Sequence, residues 1–86
     1  MIKGDDEEAG MTLIKQQINF FYDKQIPVHV TIKETTKDGT NIWYNGIIKN
    51  VSSDFFILNE YRDGEIPVFF LQVDKIRRYK EEQKDD

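Results

Sequence analysis

Eighty-six residues with a net charge of −4 and no cysteine bound this chain to one small domain and exclude both a disulfide framework and a thiolate metal site. The longest apolar runs, 55–58 and 68–71, are four residues long, far short of the about 20 that a membrane-crossing helix needs. A chain of this size buries only about 60–65% of its unfolded surface, so association with further copies would add stability that one small core lacks.

Residues 1–10 hold Asp5, Asp6, Glu7 and Glu8 against Lys3. They offer nothing to bury and read as a disordered acidic leader rather than a secretory signal, which needs an apolar stretch. The domain itself is expected over 11–80. Met11, Ile14, Ile18, Phe21 and Tyr22 recur at the spacing of one helix face, with Leu13 and Phe20 widening it, and predict a helix over 12–24. Thr12 suits its N-cap. Pro27 lacks an N–H and disfavours helical geometry at Ile26, so the helix should stop near Lys24 or Gln25.

The apolar period then changes from helical to alternating. Ile26, Val28, Val30 and Ile32 alternate with Pro27, His29, Thr31 and Lys33, which is a half-buried first strand. Lys37-Asp38-Gly39-Thr40 is turn chemistry. A second strand follows over 41–51, with Ile42, Tyr44 and Ile48 on one face and Gly46 allowing a bend. Ser52-Ser53-Asp54 breaks it. The third strand is expected over 55–60, a turn at 62–65, the fourth strand over 66–72, a tight corner at Asp74-Lys75 and a short fifth strand over 76–79. Residues 81–86, with four acids and Lys84, read as a disordered charged tail. The two ends together carry −6, which leaves 11–80 at +2. That is compatible with a local basic site and far from the footprint of a dedicated duplex binder. One helix followed by five short antiparallel strands is a mainly β, small α+β fold, and strands of this number and length curl into a strongly bent barrel.

The order of these features resembles a known superfamily. A short helix precedes strand one, and strand two carries its glycine in Tyr44-Asn45-Gly46-Ile47-Ile48. A Ser/Asp turn leads into Phe55-Phe56-Ile57-Leu58-Asn59, and after a further turn comes Ile66 to Ile76. Over residues 12–79 this pattern resembles the Sm-like (LSm) proteins, which include the bacterial RNA chaperone Hfq. The resemblance implies a homo-oligomeric ring, a hexamer or heptamer, in which the fourth strand of one subunit pairs with the fifth strand of the next. It also implies single-stranded RNA held by the loops after strands two and four. Carried onto this chain, the RNA-contacting positions are Ser53, Asp54, Phe55, Phe56 and Gln72; the basic cluster adds Lys75 and Arg77 as phosphate contacts. The chain departs from the family at its second motif: Leu71-Gln72-Val73 stands where Sm proteins have Ile-Arg-Gly, and Phe69-Phe70-Leu71 where Hfq has Tyr-Lys-His.

The residues also keep other readings open. Neighbours in a strand face opposite sides, so each Phe-Phe pair must place one ring outward. Such rings serve as base-stacking platforms, as core or as a subunit interface. Lys75, Arg77, Arg78 and Lys80 are either phosphate contacts or the charged guard of an edge strand. His29 falls on the outward phase as a lone surface histidine, with no partner set for a metal. Trp43 opposes the inner phase and belongs under the helix or at an interface. No Ser-His-acid set and no Gly-rich phosphate loop can be assembled, so no enzyme, cofactor or small-molecule substrate is expected, and the Cys-free composition points to the cytoplasm. Beside the RNA-binding ring stand an Sm-like or SH3-like protein-interaction or scaffolding module without nucleic acid and a monomeric peptide-binding barrel.

Overall fold

The change of period after Pro27 is where helix gives way to sheet. The computed structural model describes residues 2–80, with side chains from Gly10 onward. Helix α1 (Ile2–Lys24) precedes β1 (Val28–Thr35), β2 (Asn41–Val51), β3 (Phe55–Glu60), β4 (Gly64–Phe69), a 3-10 turn (Phe70–Gln72) and β5 (Val73–Arg78). The fold is one helix on a five-stranded antiparallel sheet.

α1 begins at Ile2, ten residues before the predicted cap, so Thr12 is a helix-interior residue. Glu and Ala are good helix formers by intrinsic propensity, and residues 7–9 are Glu-Glu-Ala. Gly10 costs about 1 kcal/mol in a helix interior, too little to end it. The predicted tail, 81–86, lies outside the described residues. At the other end Gln25 takes a left-handed φ of 55°. Its N–H reaches the Tyr22 carbonyl at 3.2 Å, and the Ile26 N–H reaches Phe21 at 3.0 Å, the two bonds of a Schellman cap. A glutamine is strained there. Its side chain offsets that strain by donating to the carbonyls of Tyr22 (2.9 Å) and Ile48 (3.1 Å), which ties the helix end to β2.

The strand order is β4-β3-β2-β1-β5. β2 serves two ladders: its first half pairs with β1 and its second half with β3, and Gly46 faces Val28 on one side and Glu60 on the other. Two strands therefore converge on one residue. A Cβ on Gly46 would lie 2.2 Å from the Asn59 carbonyl oxygen, so close backbone approach is what requires glycine here.

One face of the sheet is apolar. Val28, Val30, Ile32, Ile48, Phe56, Leu58, Val68, Phe70, Val73 and Ile76 meet Ile18 of α1 in a single buried cluster. Each such side chain contributes about 1.5–3 kcal/mol by leaving water. Leu13 and Phe20 do not widen the helix stripe as predicted; they are 56% and 50% exposed. α1 packs on β2, β5 and the 3-10 turn, and that contact accepts only the narrower face centred on Ile18.

The boundaries of the last two strands differ from the expected ones. The fourth strand ends at Phe69 instead of Gln72, because 70–72 form the 3-10 turn. Asp74 and Lys75 are strand residues of β5, which starts at Val73. No ladder joins β4 to β5, so the expected barrel is an open sheet with those two strands as its edges. The backbone of β4 gives the reason. The Phe69 N–H donates to the side-chain Oε1 of Gln72 at 2.9 Å and not to β3. Residues 65, 67 and 69 direct their backbone polar groups to the same side, so the outward side of β4 has a proline at 67 and a capped amide at 69. Only Glu65 is left as a donor for closure. Among the described residues no helix is long and apolar enough to cross a membrane.

Candidate nucleic-acid interface

The seven expected RNA-contacting positions divide into three places. Ser53, Asp54, Phe55 and Gln72 gather at one end of the sheet. There the Ser52–Asp54 turn closes by a 2.8 Å bond from the Ser52 N–H to the Phe55 carbonyl, and the Phe70 N–H reaches the Asp54 carbonyl at 3.0 Å. These bonds bring the loop after β2 and the turn after β4 together. Phe55 and Phe69 are ladder partners on the outward phase, with ring centroids 5.4 Å apart. Phe69 is 47% exposed and Leu71 71%. A cleft of about 510 Å³ runs between this end and α1, lined by Met11, Lys15, Ser53, Asp54 and residues 69–71. Lys15 places its ammonium 5.3 Å from the Phe70 ring centroid and is the one cation of the lining, against Asp54 as the one acid. The cleft is thus apolar and without net charge.

Phe56 has no face open to a ligand. It is fully buried and stacks on Phe70 with centroids 6.0 Å apart. The alternation of each Phe-Phe pair is as the strand period requires: 56 and 70 inward, 55 and 69 outward. Lys75 and Arg77 lie elsewhere again. They pair with Thr31 and His29 along β1, whose neighbours Val28, Val30 and Ile32 point into the core. Both cations therefore stand on the outer face of the sheet, away from the cleft.

That outer face holds an arrangement the sequence reading did not assemble. The His29 Nδ1 lies 2.7 Å from the Asn45 Oδ1. The His29 ring tilts against the indole of Trp43 at 5.5 Å. On Trp43 the Arg62 guanidinium sits 5.2 Å from the ring centroid, a cation–π contact. Trp43 is 41% exposed, so it lies neither under the helix nor in the core.

Glu60 anchors this group. Its carboxylate is buried and accepts from the backbone N–H of Asn45 (3.0 Å), Arg62 (2.9 Å) and Asp63 (2.9 Å), with the Arg62 Nε 3.9 Å away. Burial alone would push its pKa up. The three N–H groups and the Arg62 charge together outweigh burial and hold it below the ordinary glutamate value. The turn that Glu60 caps ends at Gly64, whose φ of 79° suits glycine. Glu60 at a strand end before Arg62-Asp63-Gly64 is a signal that sequence alone carries, since an acid there can take the free N–H groups of a turn. The contacts of His29, Trp43 and Arg62 depend on register across three strands and have no local signal. Comparison with known proteins finds no matching family model, no matching curated protein and no matching solved structure.

Proposed function

We propose that the chain is an Sm-like subunit that joins copies of itself into a ring of six or seven and binds single-stranded RNA. The observation that carries the reading is the strand order β4-β3-β2-β1-β5. It leaves as edges the two strands through which Sm-like subunits meet, so β4 of one copy pairing with β5 of the next continues the same sheet. The exposed Phe69 and Leu71 beside β4 and Leu13 on α1 offer apolar surface for such contacts. The Phe55–Phe69 pair beside Ser53, Asp54 and Gln72 offers a stacking surface for a base, worth about 1–3 kcal/mol where stacking occurs.

Pro67 and the capped Phe69 amide favour a second reading, a barrel-like interaction module that stays monomeric. Natural sheets blunt an edge against pairing with devices of this kind. A ring would require the Gln72 side chain to release the Phe69 N–H. Titration of short A-, U- and mixed-sequence RNAs at low salt tests the RNA-binding reading: binding that Phe55→Ala weakens is expected, and no binding to any of the three overturns it.

A further inference from the structure

The outer face of the sheet carries three side-by-side rows fixed by the ladder registers. Lys75, Thr31 and Trp43 are cross-strand neighbours, and so are Arg77, His29 and Asn45. Tyr61 extends the second row through its N–H on the Asn45 carbonyl at 2.9 Å, and the next row is set by the Tyr79 N–H on the Pro27 carbonyl at 2.9 Å. Between these two rows the Tyr61 and Tyr79 rings lie 5.6 Å apart. Rows on one face of a strand are about 6.6 Å apart. Rings thus occupy all three rows, with Trp43 and Tyr61 41% and 54% exposed. Lys75 and Arg77 stand along the β5 side and Arg62 at the hairpin.

Lys75, Arg77 and Arg62 are the cations of this surface, and Asp74 flanks Lys75 on β5. The acid inside it, Glu60, is buried and already satisfied by three N–H groups and Arg62, and Asp63 sits at the hairpin tip beyond it. Rings with flat faces accept any base, and cations beside them accept phosphates; that pairing is how sheet surfaces hold single strands. We infer that this outer face, centred on Trp43, is a binding site for single-stranded RNA, separate from the Phe55–Phe69 end of the sheet. Bases stack on Trp43 and Tyr61, and Lys75, Arg77 and Arg62 meet the phosphates. Glu60 is a positioning residue: by accepting from the Asn45, Arg62 and Asp63 N–H groups it holds the strand and the hairpin that flank Trp43.

The inference rests on the RNA-binding part of the proposed function and not on the ring. Trp43 is the chain's single tryptophan, so its emission reports on this face alone. Short mixed-sequence RNA and a proline-rich peptide are titrated against the full chain while anisotropy of the labelled ligand and Trp43 emission are both recorded. RNA should change the emission in the native chain and in Phe55→Ala alike. Arg77→Gln and Lys75→Gln should each weaken binding and lower the salt slope, by about 0.7 per lost phosphate contact on a single strand. RNA binding seen by anisotropy that leaves Trp43 emission and the salt slope unmoved, and that Phe55→Ala removes, overturns the inference and spares the proposed function. Binding of the peptide in preference to RNA overturns the inference as well, and no RNA binding by either readout overturns both.

Discussion

The cleft at the end of the sheet and the outer face around Trp43 lie on different strands of one sheet and differ in chemistry. The cleft sets Lys15 against Asp54 among exposed apolar side chains. The outer face sets three cations among rings and spends its acid on a hydrogen-bonded anchor. A base stacked in the cleft gains no net phosphate attraction, so binding there should depend little on salt. Binding on the outer face releases counterions and should weaken steeply as salt rises. Salt dependence therefore distinguishes the two surfaces more sharply than affinity does.

The largest expected effect separates the two sides of one dipeptide. Phe56→Ala should cost about 3–5 kcal/mol, most of the stability of a domain this small. Phe55→Ala should cost less than about 1 kcal/mol, as for other surface substitutions. Denaturant midpoints check this, and equal losses would mean that Phe55 is covered in solution. Next comes Gly46→Ala, which pushes a methyl into the Asn59 backbone. A loss of about 3 kcal/mol is expected, and an unchanged midpoint would show that β2 and β3 do not converge there.

Glu60→Gln should cost about 1–3 kcal/mol by leaving a buried N–H without its acceptor. Its folded-state pKa is depressed, so the stability it contributes is fully present above the ordinary glutamate value. That stability is lost as pH falls through the folded-state value. The gap between native chain and variant should therefore narrow below pH about 4. A gap that stays constant through acid would show that the ionised carboxylate is not the anchor. Smallest in stability, under about 1 kcal/mol, is the double variant Pro67→Val with Gln72→Ala, which restores two edge donors on β4. It should strengthen self-association at a given concentration. No change in association would mean that this edge is not the contact.

The end of the helix before Pro27, the alternation of the first three strands and the inward-outward split of the Phe pairs were legible because they depend on local signals; the helix start at Ile2 was not. The 3-10 turn was not, since Phe69-Phe70-Leu71 reads as continuous strand until the Gln72 side chain takes the Phe69 N–H. The cleft was partly legible: Ser53 and Asp54 adjoin in sequence, whereas Met11 and Lys15 come from a helix some forty residues earlier. The outer face was least legible. Lys75 and Arg77 stood out as a basic cluster, but only register sets Arg77 beside His29 and His29 beside Asn45. Trp43 and Arg62 meet through a hairpin held by a buried carboxylate two residues away.

The claim on which the assembly rests is that β4 and β5 are edges awaiting each other in neighbouring copies. Light scattering coupled to size exclusion measures it without labels or variants. A ring gives a mass of six or seven chains that holds on dilution. A single-chain mass across the accessible concentration range would contradict it, and would mean that Pro67 and the Gln72 cap keep the β4 edge closed to partners.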